Sequence, residues 1–177
     1  VFAQEEDRAQ LLADYRRTVE RGFAGLEKLA LARRSWGDAD LEELATMLKE
    51  VECPQVKELD LAANDMTARG IDALGKAVAA GALHSLQALT LTDCSGLLAL
   101  PDSLVELQML QTLKVDGCIG LAALPPSFSK ISSLRTLNIT HCLKLINNAD
   151  ALKMLPATVT LIKEKKEKKD KGDKGKG

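Results

Sequence analysis

The sequence predicts an α/β solenoid, a right-handed coil of short repeats with a parallel β-sheet on its concave side and a capping helix at its N-terminus. Three observations predict it. Three segments align in one register at a spacing of 24 residues, and two more precede them at a spacing of 30. The apolar content, 46% of the chain, is dominated by leucine and alanine, with only 3% aromatics. A core built so heavily from one branched aliphatic residue points to repetition, and 177 residues suffice for one domain with short appendages.

The 24-residue units are LQALTLTDCSGLLALPDSLVEL from Leu86, LQTLKVDGCIGLAALPPSFSKI from Leu110 and LRTLNITHCLKLINNADALKML from Leu134. Their columns keep one character: Leu89, Leu113 and Leu137; Leu91, Val115 and Ile139; Cys94, Cys118 and Cys142; Leu97, Leu121 and Leu145. Further along come Leu104, Phe128 and Leu152, then Leu107, Ile131 and Leu155. The 30-residue units open in the same way at Leu26 and Val56, with Asn64 in the cysteine column of the second and Arg34 in that of the first.

This recurring L-x-x-L-x-L-x-x-[N/C] pattern resembles the leucine-rich-repeat family over residues 26 to 155. The repeat from Val56, with Asn64 and a helical stretch after it, looks like the ribonuclease-inhibitor type. The cysteine-containing units, with LxxLP at Leu97 to Pro101 and Leu121 to Pro125, look like plant-type repeats.

Each element has a local reason. Alternation in a short strand turns the second and third leucines of the motif inward and leaves the residues between them facing solvent. The Asn or Cys then turns inward and donates to backbone carbonyls of neighbouring turns, which would otherwise be buried without partners. In the 30-residue units the return is a helix. Asp38 or Asp40 is positioned to cap one that carries Leu41, Leu44, Leu48 and Val51, and Thr67 to cap another that carries Ile71, Leu74 and Val78. In the shorter units Pro101, Pro125 and Pro126 permit only a tight, extended or 3₁₀-like return, so regular helices are expected in the first two repeats only, with a change of curvature near residue 86.

Residues 1–25 read as the cap, an amphipathic helix with Leu12, Tyr15, Val19 and Phe23 at spacings of 3, 4 and 4. Residues 26–162 are the solenoid of five repeats plus a closing strand at Thr158 to Ile162. Residues 163–177 are a lysine-rich tail with nothing apolar to bury, expected to be disordered. The net charge of −1 divides into −5 for the body and +4 for this tail. An acidic body argues against nucleic acid as the ligand of the folded part, leaving the tail as the only segment suited to RNA or to an acidic partner.

Three stacked cysteines invite a metal reading, but strands about 4.8 Å apart put the outer sulfurs at about 9–10 Å, too far for one zinc. A ladder of free thiol donors is expected instead, with no metal, cofactor or disulfide. Buried free thiols point to a reducing, intracellular compartment, most simply the cytoplasm. Because the sequence starts at Val1, import into an organelle followed by loss of a presequence stays open, and no apolar run is long enough for a membrane span. No catalytic constellation is expected. His141 has Asp116 one strand away but no poised nucleophile, and Gly70, Gly75 and Gly81 do not form a phosphate loop.

The expected activity is therefore non-enzymatic protein binding on the concave face, as a scaffold, adaptor or subunit of a larger assembly. Two alternatives stand beside it: a recognition fragment of a resistance or immune-type receptor, and an RNA- or ribosome-associated protein acting through its tail. The face offers Lys28, Glu58, Asp60, Thr90, Thr92, Asp93, Lys114, Asp116, Gly117, Asn138, Thr140 and His141 to a partner, over the ladder of Asn64, Cys94, Cys118 and Cys142. Gly117 leaves a notch between Asp93 and His141 in which a partner can approach closely, so that Gly117→Arg would block binding without unfolding. The other reading of the same residue is a positive backbone dihedral, in which case Gly117→Ala alone lowers stability.

Overall fold

The computed structural model describes residue 22, residues 25–50 and residues 55–163. The expected capping helix, Val51, Cys53 and the lysine tail beyond residue 163 lie outside these. Six three-residue strands form one parallel sheet in chain order: β1 (Lys28–Ala30), β2 (Glu58–Asp60), β3 (Ala88–Thr90), β4 (Thr112–Lys114), β5 (Thr136–Asn138) and β6 (Thr160–Ile162). The register is the one set by the repeats, with Leu29, Leu59, Leu89, Leu113 and Leu137 opposite one another and Leu161 continuing the row. From Leu29 to Leu137 this row is buried, and so is the second row, Leu61, Leu91, Val115 and Ile139. The core is thus a stack of leucine layers between the sheet and the returning segments.

Those returns differ as their sequences require. Helices α1 (Asp38–Glu50) and α2 (Ala68–Ala79) back the first two repeats, burying Leu41, Leu44 and Leu48 from one and Ile71, Leu74 and Val78 from the other. In the third and fourth repeats, 3₁₀ turns at Asp102–Glu106 and Pro126–Lys130 follow Pro101 and Pro125 and bury Leu104 and Phe128.

The caps are partly as expected. Thr67 Oγ1 accepts from Arg69 N–H at 3.2 Å at the start of α2. Asp40, however, reaches back to Gly37 N–H (2.9 Å), while Asp38 serves the next repeat. It accepts from Thr67 N–H (2.8 Å), Thr67 Oγ1 (2.7 Å) and Gly70 N–H (3.0 Å). Burial raises the pKa of Asp38, but these hydrogen bonds outweigh it and hold the carboxyl below its ordinary value. The first repeat's aspartate therefore caps the second repeat's helix.

The fifth repeat corrects the expectation that helices stop after the second. Two short helices, α3 (Leu143–Ile146) and α4 (Ala149–Lys153), follow Cys142, and α4 stands where the preceding units have their proline and 3₁₀ turn. Their segment, Asn147 to Asp150, has no proline to forbid helical turns, and Asn148 caps α4 by accepting from Ala151 N–H at 3.2 Å. The added turn rotates the face, so Ala151 is buried while Leu152 and Leu155 are only partly so.

Long and short repeats meet where α2 packs on the first 3₁₀ turn. A Cβ at Gly75 would run into Ser103 Oγ and lie 2.6 Å from Ser103 Cβ and 3.1 Å from its carbonyl carbon. Ser103 cannot swing aside freely, because its hydroxyl donates to Asp72 at 2.9 Å. Glycine in mid-helix costs about 1 kcal/mol relative to alanine, so helix propensity alone would make Gly75→Ala stabilising. Overpacking of about 1–3 kcal/mol opposes that gain, and the backbone contact places it at the upper end. We expect Gly75→Ala to lower unfolding free energy by about 1–2 kcal/mol in urea titration; a more stable variant would show that the junction yields.

Candidate functional site: the strand face and its ladder

The ladder positions the face. Asn64 is buried and uses all four of its hydrogen-bonding capacities. Its Nδ2 donates to Leu31 O and Leu61 O, both at 2.9 Å, and its Oδ1 accepts from Arg34 N–H (2.9 Å) and Trp36 N–H (3.1 Å). In the first repeat, where Arg34 occupies the column and is exposed, the amide of Asn64 supplies the missing partner. Each cysteine then donates to a carbonyl one repeat back: Cys94 Sγ to Leu61 O (3.5 Å), Cys118 Sγ to Leu91 O (3.0 Å) and Cys142 Sγ to Val115 O (2.9 Å).

The three thiols are free and fully buried. Burial pushes Cys94 up from the ordinary thiol value, Cys118 to about 12 and Cys142 to about 11. They remain neutral donors over the physiological range. Among the described residues, no group of three or more His, Cys, Asp or Glu side chains is placed to hold a metal ion.

Immediately before each ladder residue the backbone turns left-handed, at Arg33 (φ 57°), Ala63 (52°), Asp93 (57°), Gly117 (75°) and His141 (63°). The positive dihedral thus belongs to the repeat geometry, and Gly117 is the one position that meets it without a side chain. The expected notch there is not open, because the Asp93 carboxylate occupies the space a Cβ of Gly117 would take. Gly117→Arg therefore cannot be the harmless surface change expected from the sequence. Gly117→Ala should already cost about 1–2 kcal/mol from the left-handed backbone, and Gly117→Asn less, since Asn tolerates that region. Urea unfolding of the two variants checks the order; equal stability of Gly117→Ala and the parent chain would contradict it.

The outward columns fall where the repeat register put them. Ala30, Asp60, Thr90, Lys114 and Asn138 form the centre row. Lys28 and Glu58 occupy neighbouring strands and form an ion pair at 3.0 Å, so they engage each other. Asp60 Oδ1 accepts from Ala62 N–H at 3.0 Å. Over repeats three to five the face is cross-linked: Thr92 Oγ1 (3.0 Å) and Asn138 Nδ2 (3.1 Å) both donate to Asp116 Oδ1. Asn138 Oδ1 accepts in turn from Thr140 N–H (3.1 Å) and Thr140 Oγ1 (2.7 Å). Among the described residues Asp93 and Asp116 have no ion-pair partner. His141 is exposed at the same edge of the sheet.

The sequence reading missed a set of apolar side chains at this edge. Leu98 and Ile119, in the loops after Cys94 and Cys118, are 63% exposed, and Leu143, the first residue of α3, is 59% exposed. Two of the three, Ile119 and Leu143, directly follow Cys118 and Cys142, a column where Ser35, Asp65 and Ser95 stand in the other repeats. That column was the available signal, and it is legible only once the inward residues have been set aside.

Strand register, leucine layers and the Asn/Cys ladder together define the architecture. The fold is a leucine-rich-repeat solenoid. No protein-family model matches the sequence, and no curated protein matches it. Among solved structures, the chain aligns with that of a TLR13–ssRNA13 complex at 20% identity, over 70% of this chain and 23% of that one, with a TM-score of 0.37. The chain thus spans under a quarter of the length of the one it aligns with. Among the described residues no helix is long and apolar enough to cross a membrane.

Proposed function

We propose that the chain is a non-enzymatic protein-interaction module that holds another protein on its strand face, as a scaffold, adaptor or subunit of an assembly. The observation that carries this is the network Thr92–Asp116–Asn138–Thr140, which fixes polar side chains of three adjacent strands in one arrangement before any partner arrives. A surface whose rotamers are already fixed loses less entropy on binding, so modest contacts yield usable affinity. Thr90 and Lys114 stand beside this network in the centre row, where a partner meets them first.

The domain organisation follows the same reading: residues 1–25 cap the first repeat, 26–162 form the binding unit and 163–177 are a solvated tail. An apolar cavity of about 250 Å³, lined by Leu29, Leu31, Trp36, Leu44 and Met47 and bordered by Asp40 and Glu43, supports the cap. It suits the apolar stripe and the arginines of the preceding segment. The first two repeats are of ribonuclease-inhibitor type and the cysteine units of plant type. Three unpaired buried thiols suit a reducing intracellular compartment.

The test is retention of proteins from the source extract on four immobilised forms: the parent chain, the chain ended after Ile162, a Thr90→Arg/Lys114→Glu variant, and an outer-face control, Glu106→Lys. We expect the first two and the control to hold the same proteins and the strand-face variant to lose them. Loss only on removal of the tail, with a steep dependence on salt, would transfer the function to the tail and to RNA or another polyanion.

A further inference from the structure

We propose that the edge of repeats three to five, where Leu98, Ile119 and Leu143 stand exposed beside the carboxylates of Asp93 and Asp116, is a docking site for a basic amphipathic helix of another protein. This deepens the protein-binding reading and rests on it.

The three side chains form one ridge. Ile119 and Leu143 close equivalent tight turns of adjacent repeats, Leu143 also opening α3, with Ile119 N–H donating to Gly117 O (2.8 Å) and Leu143 N–H donating to His141 O (2.9 Å). The two therefore leave the solenoid in the same direction, about one strand spacing of 4.8 Å apart. Leu98 reaches across from the third repeat. Its Cδ2 lies 2.6 Å from where a Cβ of Gly120 would be, so the bare backbone at Gly120 is what lets it lie beside the turn of Ile119. Leu98, Ile119 and Leu143 are half of the six large apolar side chains exposed among the described residues, and they share one edge. Such concentration marks interaction surfaces more than scattered exposure does.

Charge and spacing specify the occupant. On the concave side of the ridge stand Asp93 and Asp116; among the described residues, the side chains that donate to Asp116 are the neutral Thr92 and Asn138. In repeats three and four, residues 86–133, the lysines and arginines are Lys114, in the centre row, and Lys130, on the outer 3₁₀ turn, which leaves the edge at Asp93 and Asp116 acidic. Residues i and i+4 of a helix lie about 5–6 Å apart, close to the repeat spacing. Two turns of a helix with an apolar stripe therefore cover the ridge, and Lys or Arg on the flank of that stripe reaches the two carboxylates. Leucine and isoleucine anchors beside a rigid polar face supply what the strand face lacks, since that face has no aromatic or arginine side chain in repeats three to five to concentrate binding energy.

The probe is a fluorescein-labelled 14-residue synthetic helix with leucine at the i, i+3, i+4 and i+7 stripe and lysine elsewhere, titrated with the full chain and followed by anisotropy. A second peptide carries glutamate in place of lysine. We expect the lysine peptide to bind at least tenfold more tightly, and Ile119→Ser/Leu143→Ser to weaken it at least tenfold with an unchanged thermal transition. Asp93→Asn/Asp116→Asn should weaken it about threefold to tenfold and flatten its salt dependence. Equal binding of both peptides, or full affinity in the folded serine pair, overturns the proposal. Retention of the natural partner by the serine pair, with loss in Thr90→Arg/Lys114→Glu, overturns this site while the strand-face reading stands.

Discussion

Asn64→Ala should lower the unfolding free energy by about 4 kcal/mol, the largest effect expected of any single polar substitution in the described residues. The amide sits buried between the first two repeats and serves Leu31 O, Leu61 O, Arg34 N–H and Trp36 N–H at once. Alanine would leave these four main-chain groups facing one another without partners, at about 1–3 kcal/mol for each that water cannot reach. Some of that is recovered as repeat one loosens and admits solvent, so we place the net near the lower bound. Asn64→Cys should fall just short of that, at about 3 kcal/mol, because a thiol placed like the later ones donates to the Leu31 carbonyl of the preceding repeat but cannot serve the other three groups. The later repeats manage with cysteine because their thiols have only a carbonyl of the preceding repeat to satisfy. Urea titration with both variants decides the matter, and a loss under about 1 kcal/mol for alanine would contradict this account of the ladder.

The second large effect concerns the thiols. With Cys118 pushed up to about 12, its thiolate fraction at pH 8 is about a thousandfold below that of an ordinary thiol. Native alkylation of Cys94, Cys118 and Cys142 should therefore follow the rate at which the repeats open, not the rate of the reagent, and denaturant should release all three together. The same shift fixes the sign of the pH dependence. A thiol that holds its proton more tightly when folded leaves stability intact below the unfolded value near 9, and the loss develops as pH rises from there towards 11 and 12. At pH 10, Cys118 and Cys142 together should remove about 2–3 kcal/mol. Urea midpoints at pH 8 and pH 10 measure it. In Cys118→Ala/Cys142→Ala the gap between the two midpoints should shrink, and an undiminished gap would assign the alkaline loss to other groups.

Much of the fold was legible because a solenoid writes its contacts at a fixed interval. Leu89, Leu113 and Leu137 announce their pairing by spacing alone, and Pro101 and Pro125 announce 3₁₀ returns by forbidding anything longer. What was illegible depended on directions across repeats. Asp38 reads as a cap for its own helix but caps the next, because the carboxylate's reach is set by how α1 lies against Thr67 and Gly70. The short helices near Leu143 and Ala149 escaped because the absence of proline is a weaker signal than its presence. Gly117 illustrates the limit most clearly: the sequence offered both a notch and a positive dihedral, and only the position of the Asp93 carboxylate decides for the dihedral. The face columns were placed correctly by alternation, whereas the exposed ridge was hidden among leucines that the period assigns to the core.

Whether the strand face and its adjoining edge hold another protein is read out by amide hydrogen exchange of the full chain, free and bound to a retained partner. We expect slowed exchange confined to residues 88–93, 112–120 and 136–144, with the outer segments 102–106 and 126–130 unchanged. Protection on the outer segments, with the strand face exchanging as in the free chain, would contradict it.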